Sequence, residues 1–260
     1  MYPISVSPII SRKIYEDGIA AYKEKNHPCH HLIQWQIDNN FAHIHMPEPF
    51  SGFHASLGII FIGLNPSITN GEVTPCFSDN GNFEDYDLYF RTRFDNKYRD
   101  NKGCPLFFLR NGDARKAKLW SSIERFGKNY INPGFKLGEH ALLTQAVPYK
   151  TTQGYLGNSQ ESARVILHTK KFILEILDTP GLQVVVPMGN EAWAQVQSLL
   201  SFRNNDNLGL SIMGAMGKRF KAITPKGNEL FVVPIKHMSY PPSKKIQSNV
   251  GDLIVKSLAV

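Results

Sequence analysis

The stretch Ile59-Ile60-Phe61-Ile62-Gly63-Leu64-Asn65-Pro66-Ser67 holds the residues best placed for chemistry. Its apolar run suits a strand buried on both faces of a parallel sheet. Gly63 and Pro66 end that strand and turn the backbone. Asn65 is then presented at the carboxyl end of a core strand, the edge where open α/β sheets bind ligands. An amide cannot act as an ionised general base, but it can orient a water or a ligand by hydrogen bonds. Asn, Pro and Ser are also ordinary turn residues, so this stretch alone fits a plain strand-ending turn as well. Further along, Gln145 stands in Leu-Leu-Thr-Gln-Ala-Val-Pro, and His237 and Ser239 stand in Lys-His-Met-Ser.

The elements that must position these residues follow from periodicity. An amphipathic helix is expected over 11–24, with Ile14, Ile19 and Tyr22 among charged residues; 32–38 resumes a helix after the break at 27–31. The first strand covers 58–62. Residues 68–112 show no clear period. Asp113 is expected to cap a helix over 113–126, with Ala117, Trp120, Ile123 and Phe126 as its apolar stripe. Ala141–Val147 is a second strand, and Ser159–Leu177 is the clearest helix, with Ser159 as its cap. Leu182–Pro187 is a third strand, followed by a helix capped by Asn190 and running to about Leu200. Leu230–Pro234 is a fourth strand, and a last helix covers about 245–258. This alternation predicts an α/β fold of three layers, a central parallel four-stranded sheet with helices on both faces. Right-handed crossovers put all four strand ends on one edge.

The 260 residues are expected to form a single α/β domain over 1–260, with an N-terminal helical extension (about 1–50) and an insertion (about 78–112). A formal charge of +7 is compatible with a polyanionic partner and equally with simple solubility. Three widely spaced cysteines argue against a disulfide framework, fit a reducing cytoplasm and cannot supply four thiolates to an iron–sulfur cluster. No signal peptide is read at the start, and no apolar run is long enough to span a bilayer. His27, Cys29, His30 and His31 match no standard zinc spacing, and no partner pair stands out elsewhere, so no metal is expected. No P-loop or dinucleotide fingerprint follows any strand, so no cofactor is expected.

Taken together, Gly63–Ser67, Phe77 within Cys76-Phe77-Ser78, Gln145, and His237-Met238-Ser239 resemble the motifs of the uracil-DNA glycosylase superfamily, in order, over roughly residues 57–258. That family carries a Gly-x-Asn/Asp-Pro turn after the first sheet strand, a stacking Phe about a dozen residues later, a base-reading amide at an inner strand end and a late His-x-Ser turn. The resemblance implies a monofunctional DNA glycosylase that flips a nucleotide out of the stack and hydrolyses its N-glycosidic bond. It casts Asn65 as positioner of the attacking water and His237 as hydrogen-bond donor to the leaving base. Phe77, Gln145 and Leu64 would bind the base, and Ser67, Ser239, Lys150 and Lys244 would contact DNA phosphates. Met238, Tyr240 and Pro241 lie where the family inserts an apolar wedge. A monomer acting on DNA is implied, with no metal and no Schiff-base lysine.

The sequence departs from the family pattern in three places. Gln145 stands where uracil-specific members have Asn; the extra methylene puts uracil itself in doubt and admits a modified base, as in repair or in defence against modified phage DNA. The His237 turn continues Met-Ser-Tyr-Pro-Pro-Ser rather than the compact Pro-Ser-Pro. The segment 78–112 is long and mixes Phe83, Tyr86, Tyr89, Phe90 and Tyr98 with Arg91, Arg93, Lys97 and Arg99, which suits either a nucleic-acid-contacting insertion or a surface loop pinned by its aromatics. The alternatives are a non-catalytic nucleic-acid-binding protein on the same fold, or a hydrolase of nucleotides or other small molecules.

Overall fold

A computed structural model describes the chain apart from residues 1–5, 42, 53, 69–73, 78–81, 95–106, 111–112, 117, 153, 204–208 and 260. Its helices are α1 (Pro8–Lys23), α2 (His30–Asp38), α3 (Phe83–Thr92), α4 (Lys118–Tyr130), α5 (Ser159–Leu177), α6 (Asn190–Leu199), α7 (Ile212–Ala215) and α8 (Lys244–Leu258). Its strands are β1 (Phe50–Ser51), β2 (Ile59–Gly63), β3 (Phe107–Arg110), β4 (Asp113–Lys116), β5 (Ala141–Gln145), β6 (Val184–Pro187), β7 (Ser201–Phe202), β8 (Phe220–Ile223) and β9 (Glu229–Val232).

Seven strands form one sheet in the order β1-β5-β2-β6-β9-β8-β7. The four strands read from the sequence are its parallel centre, β5-β2-β6-β9. The sheet is nonetheless wider than expected. β1 adds antiparallel to β5, and the β8–β9 hairpin and β7 extend the other side antiparallel. β3 and β4 form a separate hairpin.

The two inner strands, β2 and β6, are apolar throughout because helices cover both faces of the sheet. Alternate residues of β2 serve opposite cores. Ile60 and Ile62 join Leu142, Val185, Phe172 of α5 and Trp193 of α6. Ile59 and Phe61 join Leu143, Val186, Phe126 of α4 and Ile254 of α8. Truncating one such isoleucine to alanine is expected to cost about 2–5 kcal/mol.

Several helix starts differ from expectation for local reasons. Asp113 opens β4 rather than capping a helix, and α4 begins at Lys118. The cap of α5 is Asn158: its side chain accepts from the amides of Gln160 and Glu161, while Glu161 reaches back to the Asn158 amide. That reciprocal pair satisfies more orphan donors than Ser159 could one position later. Gly189 takes the cap position of α6 at φ 95°, a backbone conformation that asparagine adopts with more strain. Asn190 is instead the first helical residue, and its Oδ1 accepts from the Ile212 amide.

The segment with no readable period contains α3, capped by Asn82. Phe83, Tyr86, Tyr89 and Phe90 form a buried cluster with Met46. Arg91 and Arg93 are buried as well. These side chains are core rather than a nucleic-acid surface; Lys97, Tyr98 and Arg99 lie outside the described residues.

Candidate functional site at the carboxyl edge of the sheet

Register aligns one row across the four parallel strands. Gly63 pairs with Gln145, Ile62 pairs with Pro187, and Met188 bridges to Ile235. Gln145, Gly63, Met188 and Ile235 therefore stand abreast where the strands end. Asn65 and His237 each lie two residues beyond this row. Their strands, β2 and β9, are separated by β6 alone, a spacing of about 10 Å at the usual interstrand distance. The strand between them ends at Pro187, and a Cβ on the following Gly189 would lie 3.7 Å from the His237 Cβ.

Pairing continues past the strand ends and fixes the Asn65 turn. Amides of Ala146 and Val147 donate to the carbonyls of Gly63 and Leu64 at 2.9 and 2.7 Å. Thr151 and Ile68 exchange further bonds with Pro66 and Thr151 carbonyls. Asn65 Nδ2 donates to Thr151 Oγ1 at 2.6 Å and more weakly to the Tyr149 carbonyl at 3.5 Å. The Thr151 hydroxyl in turn donates to the Tyr155 carbonyl at 2.7 Å. The amide of Asn65 is thus oriented by its nitrogen, and its Oδ1 has no hydrogen-bond partner among the described residues.

Gln145 is 8 % exposed, and its Oε1 has no hydrogen-bond partner among the described residues. A buried carbonyl in that state costs about 1–3 kcal/mol. Gln36 shows the ordinary solution in the same molecule: Oε1 accepts from the His45 amide, and Nε2 donates to the Lys150 carbonyl. The Gln145 side chain lies over Gly63, where a Cβ would come within 2.1 Å of Oε1.

His237 is half-buried, and its Nδ1 accepts from the Ser239 amide at 3.3 Å. In the neutral ring the proton then sits on Nε2, which is left as a donor. Burial lowers its pKa below the ordinary value, and the carboxylate of Glu191 opposes this only in part. A neutral imidazole donor at neutral pH is the result.

A cavity of about 580 Å³ opens beside these residues, lined by Leu64, Trp35, Tyr155, Ile166 and Glu191 among others. Its size is in the usual range for small-ligand sites. Leu64 from the end of β2 and Glu191 at the start of α6 bound it. Asn65, Gln145 and His237 are not among its lining residues.

Other expected site residues have mixed placements. Phe77 is half-buried and stacks on Tyr22, centroids 4.6 Å apart and planes 10° apart, so one ring face is taken. Ser67 is exposed, Ser239 is half-buried, and Lys244 is exposed at the first position of α8. Met238 is core, which leaves Tyr240, 70 % exposed, and Pro241 at the surface of that turn.

Lys150 does not fit a phosphate contact. It is 1 % exposed, and its ammonium lies 2.6 Å from Glu48 Oε1, while Arg93 lies 3.1 Å from Oε2. Burial alone would raise the Glu48 pKa, but the two cations outweigh it and hold the carboxyl well below the usual range. Lys150 is a structural cation under the site, a role invisible without knowing that Glu48 and Arg93 converge on it.

His27 and Cys29 do have partners elsewhere, contrary to expectation. Asp17 of α1 and His168 of α5 join them, and the four donor atoms all lie within 4.8 Å of one another.

No family model and no curated protein matches the chain.

Proposed function

We propose that the chain is a monofunctional DNA glycosylase of the uracil-DNA glycosylase type, acting on a uracil-like or modified base. The observation that carries this reading is the buried Oε1 of Gln145, held at the carboxyl edge of the sheet with no hydrogen-bond partner among the described residues. An N–H of a flipped base would supply the missing donor. Asn65, oriented by Thr151, offers its carbonyl to a water that attacks the anomeric carbon. The glycosidic bond breaks as the water oxygen bonds to carbon; the bonding pair leaves on the base nitrogen, and the proton the water sheds goes to solvent, from which the released base is protonated. His237 Nε2–H donates to an oxygen of the departing base, where negative charge develops. Asn65 and His237 flank this space from strands about 10 Å apart, which leaves room for a nucleoside between them.

This sheet edge suits a base bound further out than an asparagine at 145 would hold it. Gln145 reaches one methylene more, and only a glycine at position 63 leaves it room. A substrate screen tests the proposal. Genomic DNA containing natural and phage-type modified bases is incubated with the protein, and released bases are identified by mass spectrometry. One base released together with an alkali-labile site is expected. DNA binding without release of any base would favour the non-catalytic alternative, and release from free nucleosides alone would favour a small-molecule hydrolase.

A further inference from the structure

We propose that Asp17, His27, Cys29 and His168 form a binding site for one zinc ion. The four residues come from three separate segments, α1, the α1–α2 connection and α5. They present one carboxylate, two imidazoles and one thiol, with all donor atoms within 4.8 Å of one another. Cys29 is buried and the other three are half-buried.

The arrangement is built rather than incidental. Asp17 Oδ1 lies 2.7 Å from His168 Nε2 and 3.4 Å from His27 Nε2. The two imidazole rings meet edge to face, with centroids 4.7 Å apart. The Tyr149 hydroxyl donates to Asp17 Oδ2 at 2.6 Å and so fixes the carboxylate from behind. Such support for a ligand carboxylate is characteristic of metal sites. The other two histidines of the 27–31 run are occupied differently: His30 Nδ1 pairs with the Ala21 carbonyl, and His31 Nε2 with the Leu156 carbonyl. The run thus divides into two donors facing Asp17 and two backbone anchors.

The donor set selects the cation. Magnesium and calcium require oxygen ligands. Sulfur plus two imidazole nitrogens and one carboxylate oxygen suits four-coordinate zinc. Bonds of about 2.0–2.3 Å place tetrahedral ligands about 3.3–3.8 Å apart. The 3.4 Å between Asp17 and His27 already fits, the 2.7 Å contact between Asp17 and His168 must open by about half an ångström, and the widest pairs, within 4.8 Å, must close by up to about an ångström. On binding, Cys29 Sγ gives up its thiol proton to solvent, and the proton of each ligating imidazole leaves the coordinating nitrogen. His27 Nδ1 receives the Cys29 amide at 3.1 Å; ligation through Nε2 moves its proton to Nδ1 and releases that contact. The ion would pin α1 to α5 and add a constraint absent from the unfolded chain.

The test uses the full chain. Protein purified without chelator should carry about one zinc per chain by elemental analysis. Stripped protein titrated with cobalt(II) should show the intense visible bands of tetrahedral cobalt with a thiolate charge-transfer band, and zinc should displace them. The thermal midpoint should rise when zinc is added to stripped protein. Cys29→Ser should remove the charge-transfer band, and His168→Asn should weaken binding at least tenfold, while Cys76→Ser should change neither. Should the variants fail to fold, the zinc stoichiometry and cobalt spectrum of the wild-type chain still decide. A folded chain that takes up no stoichiometric zinc or cobalt would overturn the proposal. So would a weak octahedral cobalt spectrum without a thiolate charge-transfer band. None of these readouts depends on glycosylase activity.

Discussion

Gly63 and Gln145 are partners in register on adjacent parallel strands, and the glutamine carbonyl occupies the space a side chain at 63 would need. A Cβ there would lie 2.1 Å from Gln145 Oε1. The clash involves the far end of a flexible side chain, so a larger residue at 63 would displace the amide rather than break the sheet. Gly63→Ala is expected to cost no more than about 1–3 kcal/mol in stability while moving Gln145 out of place. Base excision should then fall, and Gln145→Ala should make the extra Gly63→Ala change nearly silent. A double-mutant cycle on both stability and activity reads this coupling directly.

Thr151 matters through Asn65. Its hydroxyl accepts the Asn65 Nδ2 hydrogen bond and passes its own hydrogen to Tyr155. Thr151→Val keeps the shape and removes both bonds. We expect kcat to drop about tenfold with KM little changed, against a loss of about 100-fold or more for Asn65→Ala. Single-turnover kinetics separate the two, since a purely structural defect would appear in the melting curve instead.

The His237 ring sets a pH signature. Burial holds its folded pKa below the ordinary 6.5. As pH falls below that value, the unfolded chain takes up a proton that the folded ring resists, so the unfolded state gains. The contribution of His237 to stability is therefore complete above about 6.5 and declines as pH drops toward the folded pKa. Denaturant melts of wild type and His237→Asn should differ in slope against pH in this window and run parallel above it.

Glu48, Arg93 and Lys150 form a buried charged group whose members hold one another in place. Glu48→Gln leaves two cations without their counter-charge and should cost about 3–5 kcal/mol. The folded Glu48 pKa is depressed, so its contribution is present above the unfolded value near 4.5 and lost as pH falls below it. Lys150→Met should also destabilise, yet leave the salt dependence of DNA binding unchanged; a phosphate contact would instead reduce that slope by about one. Urea melts and salt-series binding measurements check the pair of expectations.

Much of the frame was legible from residue order. The central strands announce themselves as apolar runs ended by Gly63, Pro148 or Pro187, and α5 by its long stripe. The edge strands were not legible, because β1 and β7 are two residues each and such lengths carry no period. Residues 83–92 escaped because the Arg and Tyr content of α3 reads as surface, although its ion pairs and aromatic contacts bury it. The placement of Asn65, Gln145 and His237 at one sheet edge was legible because strand ends can be read from sequence. Thr151 as the orienter of Asn65, Glu48 as the partner of Lys150, and Asp17 and His168 beside Cys29 were not, because each depends on contacts between residues 86 to 151 positions apart.

Glycosidic-bond cleavage at the Asn65–Gln145–His237 edge is the proposed activity. It is tested most directly by single-turnover formation of abasic sites on the substrate found in the modified-base screen, comparing wild type with Asn65→Ala and His237→Ala. Each variant should lose about 100-fold or more in rate while retaining DNA binding and a native melting curve. Full activity in both variants, or no abasic product from wild type on any base offered, would contradict it.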